Sequence, residues 1–326
     1  MANLLTIAIP TYNRARKLDE QLAWLSRNIV GCEDQCSIII SDNASTDCTP
    51  AICRKWRDAF QERGVDFRVS GNEANIGALP NIARCIELST SRFSWVMGDD
   101  DEIPDEKLTW VVARLDAQRD LASIVLNFQG IGKSVYDRCF HHPADLLGEG
   151  HRVIGECLKQ AYFGLAFMTA QIYRTEFAQA ALRSWPVGTS NHDYQVFVSA
   201  FVGLQGKVLA TRETHCTYVT GDNVYEKDKR IGLVLYADSL DVFLQLSRIG
   251  YDATLCRQVA WRHLWQLKRR FITNAFRCNP LLTLKTISRA VRYLSRLERQ
   301  TPAISRPMQV AANTGLASMA ANPMAH

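Results

Sequence analysis

Long apolar segments are missing from this sequence. Its 326 residues contain no apolar run of roughly 18 or more, the length that a bilayer-spanning helix needs, so no such helix is predicted. No basic residue precedes the short apolar run at Leu4–Pro10, and a secretory signal peptide is therefore not predicted either. We expect the protein to be cytoplasmic.

Paired cysteines of the C-x-x-C type are missing as well. The ten cysteines are scattered, and the closest group, formed by Cys32, Cys36, Cys48 and Cys53, lacks the spacing of a zinc site. In a reducing compartment such cysteines are usually free thiols that pack in the core. We expect neither a disulfide framework nor a structural zinc site.

Acidic residues become scarce towards the C-terminus. After Asp252 there are twelve arginines and lysines but a single acid, Glu298, so this part carries a charge of +11. The whole chain carries +5, and the part up to Asp252 therefore carries −6. The two ends of the chain should meet different partners.

Short apolar runs alternate with segments of helical periodicity through the first 128 residues. Strands are predicted at Leu4–Pro10, Ser37–Ser41, Asp66–Ser70, Phe93–Met97 and Ala122–Phe128. Helices are predicted at Ala15–Asn28, Thr46–Gln61, Ala78–Leu88 and Leu108–Leu115. This alternation predicts an α/β fold with a mainly parallel sheet and helices on both faces. Ligands bind such sheets outside the carboxyl ends of the strands.

The regular pattern weakens after about residue 129. The polar segment Asp137–His151 is predicted to be a connection, and Ile231–Arg299 reads as mostly helical with a break at Asn279-Pro280. The final residues, 301–326, are small and lack periodicity, which predicts disorder. We expect a domain over residues 1–225 with halves 1–128 and 129–225, a helical basic extension over 226–300, and a disordered tail over 301–326.

Polar residues follow the first predicted strand at Pro10–Arg14. This segment offers free backbone groups, the Tyr12 ring, which can stack on a base, and the Arg14 cation, which can lie near phosphates. A plain turn that begins the next helix is the alternative. After the second strand, Asp42 and its neighbour Asn43 can bond to a nucleobase edge, while Ser45 or Thr46 caps the next helix.

A glycine motif, Asn75-Ile76-Gly77, precedes the third helix, and Asn81 lies one turn into that helix. Glycine is favoured where the backbone must approach a ligand closely. The motif is therefore a candidate part of a ligand pocket.

The fourth strand runs directly into an acidic cluster, Asp99-Asp100-Asp101-Glu102. Three successive aspartates repel one another unless a cation neutralises them. Oxygen ligands with open positions suit Mg²⁺ or Mn²⁺, which share their coordination shell with substrate phosphates. A solvated acidic loop is the alternative.

In this order the motifs resemble family 2 glycosyltransferases of the GT-A fold, in particular bacterial members that build surface polysaccharides. The resemblance covers residues 4–128 and rests on Ile9–Arg14, Ser41–Asp47, Asn75–Gly77 and Gly98–Asp101. It implies that residues 1–128 bind a nucleotide-sugar and that residues 129–225 hold the acceptor.

The resemblance also implies roles for individual residues. Contacts to the nucleoside would come from Pro10, Thr11, Tyr12, Arg14 and Asp42. The donor pocket would be lined by Asn75, Gly77 and Asn81, and the aspartates would bind ribose and a metal-bridged diphosphate. The common family pattern is Asp-x-Asp-Asp, whereas Gly98 stands in place of the first Asp when the clusters are aligned at Asp101. We assign the metal to Asp101 and the ribose to Asp99, with Asp100 as the alternative for the ribose.

In the second half, His192-Asp193 precedes an apolar helical run and resembles the acid-Asp pair whose Asp is the family's catalytic base. An N-cap role for Asp193 is the alternative, because a helix N-terminus stabilises a carboxylate. His215 follows a predicted strand and would complete the metal shell as in some relatives, although a lone histidine in a strand is more often structural. We therefore expect an inverting transferase that uses Mn²⁺ or Mg²⁺, with Asp193 as the base and Asp101 and His215 as metal ligands.

The basic C-terminal helices also carry aromatic and aliphatic residues, among them Trp261, Trp265 and Phe271. Such helices can lie on anionic membranes, which would suit a lipid-linked saccharide acceptor and a peripheral location at the inner face of the plasma membrane. A solvated basic face is the alternative. No nucleic-acid recognition module is evident.

Two other functions compete with sugar transfer. A sugar nucleotidyltransferase also needs a nucleotide pocket and acidic metal site, but it usually carries a glycine-rich phosphate loop, and the segment after the first strand has no glycine. A non-catalytic protein that binds nucleotide-sugars is the second competitor.

Overall fold

The computed structural model describes residues 3–132, 135–220, 232–265, 276–277 and 279–299. The predicted disordered tail, 301–326, lies outside the described residues. Part of the basic segment, including Lys268, Arg269, Arg270 and Phe271, lies outside them too.

A single eight-stranded sheet, flanked by helices, forms the body of the protein. Its strands are β1 (Leu5–Thr11), β2 (Cys36–Asp42), β3 (Asp66–Gly71), β4 (Phe93–Val96), β5 (Leu121–Gly132), β6 (Leu146–Glu149), β7 (Gln171–Arg174) and β8 (Lys207–Thr220). They lie in the order β3-β2-β1-β4-β7-β5-β8-β6. All strands except β6 and β7 run in the same direction, which confirms the predicted α/β class.

The helices in the first two thirds of the chain connect these strands. They are α1 (Ala15–Asn28), α2 (Thr49–Gln61), α3 (Ala78–Leu88), α4 (Lys107–Ala117), α5 (Gly150–Ala161), α6 (Thr175–Ser184) and α7 (Tyr194–Gly203). Short 3₁₀ turns occur at Tyr162–Ala166 and Met168–Ala170. The predicted bounds of the first and third helices agree with α1 and α3.

The second helix begins three residues later than predicted. Neither Ser45 nor Thr46 caps it; instead Asp47 Oδ1 accepts the backbone N–H of Thr49 at 2.9 Å. Ser45 Oγ accepts the N–H of Asn13 at 2.8 Å, so this hydroxyl holds the β1 loop and is not a helix cap. The segment after β2 therefore holds the loop after β1 in place through this hydrogen bond.

The apolar runs in the first half form strands because both sheet faces are covered. Every residue of β2 is buried, and Ile38 and Ile40 are 0% exposed. A strand that is buried on both faces reads as a continuous β-branched run, which is why β1 and β2 stand out in the sequence.

The C-terminal helices pack against the sheet domain. They are α8 (Gly232–Ile249), α9 (Ala253–Trp265) and α10 (Pro280–Arg299); α8 contacts α7, and α9 contacts α5. The Tyr251 hydroxyl, between α8 and α9, donates to the Ala200 carbonyl of α7 at 2.9 Å. Asn279 caps α10, since its Oδ1 accepts the Leu282 N–H at 3.0 Å. This agrees with the predicted break at Asn279-Pro280.

Within the described ranges, no helix combines the length and the apolar character that crossing a bilayer requires. The cysteines in these ranges carry free thiols.

Candidate active site

The ends of β1, β2 and β4 meet at one edge of the sheet because these strands are neighbours and parallel. A pocket opens at this edge. It is lined by Pro10, Thr11, Tyr12, Arg14, Asn43, Ala78, Asn81, Ile82, Asp99, Asp100 and Met168. The structure thus brings together most of the residues that the sequence analysis assigned to nucleotide-sugar binding.

Asp99 forms the floor of this pocket and is only 4% exposed. Its Oδ2 accepts the Thr11 hydroxyl at 2.8 Å, and its Oδ1 lies 3.2 Å from Arg14 Nη1. Burial raises the pKa of Asp99 to about 6, although Arg14 and the Thr11 hydroxyl act in the opposite direction. Arg14 also pairs with Asp100, so one guanidinium holds two of the clustered carboxylates.

Asp101 is held from the side of the 3₁₀ turn at Met168–Ala170. The Thr169 hydroxyl donates to Asp101 Oδ2 and accepts the Gly98 N–H at 2.9 Å. Burial raises the pKa of Asp101 to about 7; the Thr169 hydrogen bond opposes this, while Asp100 adds to it. A side chain at position 98 would overlap the Asp101 carboxylate, which explains the glycine there.

Asn43 connects the second and third motifs. Its Nδ2 donates to Asn75 Oδ1 at 2.8 Å and to the Gly77 carbonyl at 3.2 Å, and its Oδ1 accepts the Ile76 N–H at 2.9 Å. Gly77 has φ +93°, a conformation that glycine adopts without strain. This network fixes the loop beside the pocket.

Asp42 and Asn81 have structural partners in the same region. Asp42 is 8% exposed, and its Oδ1 accepts the Ser45 N–H at 3.1 Å. Asn81 is 2% exposed and bonds to the Ser41 hydroxyl at 2.7 Å and to the Ser41 carbonyl at 2.9 Å. Asn81 lines the pocket wall while its amide joins α3 to β2.

Asp193 occupies the N-cap position of α7, but its side chain makes no capping hydrogen bond. The carboxyl is partly buried; burial and then repulsion from Asp238 raise its pKa to about 7, while His192 opposes them. The hydroxyl of the next residue, Tyr194, donates to the Leu79 carbonyl at 3.3 Å. Leu79 lies on α3, whose Ala78 and Asn81 line the pocket, so the Tyr194 side chain links α7 to that helix.

His215 is not brought to the aspartates. Its ring lies against Trp110 of α4, with centroids 4.5 Å apart. The neighbouring residue in β8, Cys216, is the one affected by the Asp101 charge, since burial and then this charge raise the pKa of its thiol. The register between β5 and β8 shifts at this point, so His215 is an extra residue in a β-bulge. Burial and then the Lys107 charge lower the pKa of His215 to about 4, while Asp145 opposes them.

The acidic cluster has the chemistry of a magnesium or manganese site. No group of three or more His, Cys, Asp or Glu side chains with metal-site geometry occurs in the described part of the chain. Such ions are, however, commonly held by one or two carboxylates together with substrate phosphates. The carboxylates of the buried Asp99 and the half-buried Asp101 fit that mode, and His215 is not part of the set.

Three contributors were not predicted as site residues. Met168, Thr169 and Asp238 lie outside the recognised motifs. Met168 and Thr169 reach the site only because β7 inserts beside β4, which no local pattern indicates.

Comparison with known proteins agrees with this arrangement. Residues 6–168, half of the 326-residue chain, match the family described as Glycosyl transferase family 2. The abequosyltransferase RfbV of Salmonella typhimurium is 32% identical over 118 residues, 36% of this chain and 34% of that protein. A validoxylamine A glucosyltransferase of Streptomyces hygroscopicus subsp. jinggangensis is 44% identical over 62 residues, 19% of this chain and 14% of that protein. The matches thus span about a third or less of these relatives.

Solved structures share the fold at low sequence identity. TarS 1-349 of S. aureus, in complex with UDP-GlcNAc, aligns with a TM-score of 0.59 and 13% identity over 90% of both chains. The mannosyltransferase PcManGT of Pyrobaculum calidifontis, in complex with GDP-Man and Mn2+, aligns with a TM-score of 0.54 and 13% identity over 92% of this chain and 76% of that one. On the family match and the shared GT-A architecture, the chain belongs to glycosyltransferase family 2.

Proposed function

We propose that the protein is an inverting glycosyltransferase that moves a sugar from a nucleotide-diphosphate sugar to a saccharide acceptor in surface polysaccharide synthesis. The observation that carries this proposal is the pocket at the ends of β1, β2 and β4, where a tyrosine ring, a guanidinium, the buried Asp99 and the exposed Asp100 converge. The Salmonella relative is by name an abequosyltransferase, which supports a role in saccharide assembly.

The donor is proposed to bind with its nucleoside between the first two motifs. Tyr12 is 41% exposed, so its ring is available to stack on the base. Asp99 would accept hydrogen bonds from the ribose, and Arg14 would meet the diphosphate once a cation takes over its aspartate partners. Asn75 and Gly77 would shape the wall next to the sugar, together with Asn81.

Mn²⁺ or Mg²⁺ is the proposed cofactor, held by Asp101 with help from Asp99 or Asp100. The complex of PcManGT with GDP-Man and Mn2+ supports a divalent ion in this fold. When bound, the ion would offset negative charge on the departing diphosphate. Thr169 would keep the Asp101 carboxylate aimed at this position.

Asp193 is the proposed catalytic base. Its carboxyl makes no capping hydrogen bond, and a pKa of about 7 leaves it able to accept a proton near neutral pH. It would take the proton of an acceptor hydroxyl while that oxygen attacks the anomeric carbon from the face opposite the diphosphate. A single displacement of this kind inverts the anomeric configuration.

The acceptor is proposed to be lipid-linked, with the basic C-terminal helices on an anionic membrane surface. The exposed leucines and basic residues of α10 support this.

A thermal-shift screen would test donor binding. Nucleotide-sugars that differ in base and sugar are added with and without Mn²⁺, because a ligand that binds only the folded state raises its apparent stability. At least one nucleotide-sugar should raise the melting temperature more with Mn²⁺ than without it. If no nucleotide-sugar stabilises the protein, the proposal fails. Release of diphosphate from a nucleoside triphosphate and a sugar phosphate would instead identify a nucleotidyltransferase.

A further inference from the structure

Two acidic side chains of α8 are buried beside the loop that carries Asp193. Asp238 is 5% exposed and Asp241 is 1% exposed. Arg289 of α10 reaches both, with its Nη1 3.1 Å from Asp238 Oδ1 and its Nη2 in contact with Asp241 Oδ2. One guanidinium thus serves two buried carboxylates and joins α8 to α10.

The other oxygen of Asp238 binds the residue that precedes Asp193. Asp238 Oδ2 accepts the His192 backbone N–H at 3.2 Å and lies 2.8 Å from the His192 ring Nδ1. Asn191 adds a second connection, because its Nδ2 donates to the Asp238 carbonyl at 3.2 Å and its Oδ1 accepts the Asp193 N–H at 2.9 Å. Residues 191–193 are therefore fastened to α8.

Stability alone does not account for this cluster. Buried ion pairs can often be replaced by apolar residues without loss of stability, because desolvation offsets their attraction. Asp241 Oδ1 has no hydrogen-bond partner within the described part of the chain. The feature that the cluster does determine is the position of the loop at the start of α7.

We propose that Asp238 is a positioning residue for the catalytic base: it fixes His192, and through it Asp193, at the start of α7, and Arg289 keeps Asp238 in place. This inference rests on the function proposed above, since it takes Asp193 as the base. It makes α8 and α10 part of the catalytic apparatus.

The charges around Asp193 make the inference testable through the pKa of this carboxyl. Beyond burial, the groups in the described ranges that act on the Asp193 carboxyl are Asp238, which raises its pKa, and His192, which lowers it. Arg289 contacts both Asp238 and Asp241 and does not act directly on the Asp193 carboxyl. Changes at Asp238 and at His192 should therefore move the pKa of Asp193 in opposite directions.

The test compares Asp238→Asn and His192→Gln with the wild type over a range of pH. Both variants should lower kcat, by up to about 10²-fold, the loss expected when a reacting group is displaced by about 1 Å. The KM for the donor should not change. The acidic limb of the kcat profile should move by about one pH unit, to lower pH in Asp238→Asn and to higher pH in His192→Gln, because a neighbouring charge shifts a pKa on that scale. Arg289→Gln should lower kcat similarly.

Matched controls separate positioning from general effects. Asp116→Asn, on the exposed side of α4, and Arg248→Gln, on the exposed side of α8, make the same chemical changes away from the cluster and should leave kcat unchanged. His192 is only partly buried, so His192→Gln provides the test even if Asp238→Asn does not fold.

The outcomes distinguish this inference from the proposed function. Folded variants with wild-type kcat, or with lowered kcat and unmoved acidic limbs, would overturn the positioning role. A wild type without transferase activity, or an active Asp193→Asn variant, would overturn the proposed function itself. A lowered kcat in both variants, with acidic limbs that move in opposite directions, would support the positioning role and the proposed function.

Discussion

At the scale of single residues, the proposed chemistry depends most on the Asp193 carboxyl. Asp193→Asn keeps the shape of the side chain but removes its ability to accept a proton. We expect kcat to fall by about 10² or more, the contribution typical of a general base, with the donor KM little changed. Steady-state kinetics at several donor concentrations would measure this. Near-normal turnover would mean that Asp193 is only a helix-start residue.

The raised pKa of Asp193 predicts a pH dependence. A base works in its deprotonated form, and burial together with Asp238 raises the pKa to about 7. The deprotonated fraction therefore falls as the pH drops through about 7, and kcat should fall with it. A kcat profile measured under saturating donor and Mn²⁺ checks this. A profile that stays flat from neutral pH down to the ordinary range of an exposed aspartate would contradict it.

Some site residues could be predicted from the sequence and others could not, for physical reasons. Asp99 and Asp101 are recognisable because successive carboxylates at the end of a buried strand need a cation. His215 was expected to bind the metal because it lies in a predicted strand region, but it occupies a β-bulge in β8 and its ring packs against Trp110. Thr169 carries no local signal, because its role depends on a contact across 68 residues of chain.

At the scale of secondary-structure elements, the 3₁₀ turn at Met168–Ala170 orders the acidic loop. Thr169→Val keeps the volume but removes the hydroxyl that bridges Gly98 and Asp101. Loss of a group that orients a metal ligand typically weakens metal binding by about 10- to 100-fold, so half-maximal activity should need correspondingly more Mn²⁺. Thr169→Ser keeps the hydroxyl and serves as the control. An unchanged Mn²⁺ requirement in Thr169→Val would contradict this role.

The regular elements differ in how well the sequence predicts them. β1, β2 and α1 follow from local pattern, since hydrophobic periodicity and burial agree there. β7 has only four residues, Gln171–Arg174, and its place between β4 and β5 comes from antiparallel pairing on both sides. Such pairing is a tertiary effect, so β5 was predicted as a strand but the antiparallel β7 between β4 and β5 was not.

At the scale of the whole molecule, the proposed membrane contact depends on the exposed side chains of α10. Leu281, Leu284 and Val291 are 66%, 57% and 60% exposed, and basic residues recur beside them at helical spacing. These basic residues are Lys285, Arg292 and Arg296, all exposed. The predicted contribution of Lys268, Arg269 and Arg270 lies outside the described residues.

Neutralising this α10 surface should separate two activities. Changing Lys285, Arg292 and Arg296 together to Gln should weaken binding to anionic vesicles, since each cation near the headgroups contributes roughly 1 kcal/mol. Transfer to a lipid-linked acceptor should fall while hydrolysis of the soluble donor stays intact. The control neutralises three exposed arginines on other helices and loops, Arg54, Arg119 and Arg183. Vesicle sedimentation at low and high salt would measure binding. Equal binding by the two triple variants would show that the basic residues of α10 do not contact the membrane.

Sugar transfer at the aspartate cluster is proposed to depend on a divalent ion, and chelation of the purified wild-type protein tests this dependence. The assay follows release of nucleoside diphosphate from the donor identified by thermal shift, first with EDTA and then with Mn²⁺ or Mg²⁺ in excess. We predict that EDTA abolishes release, that either ion restores it, and that Asp101→Ala stays inactive under both conditions because the ion has lost its carboxylate. Full activity in EDTA, or an Asp101→Ala variant that responds to Mn²⁺ like the wild type, would contradict the account.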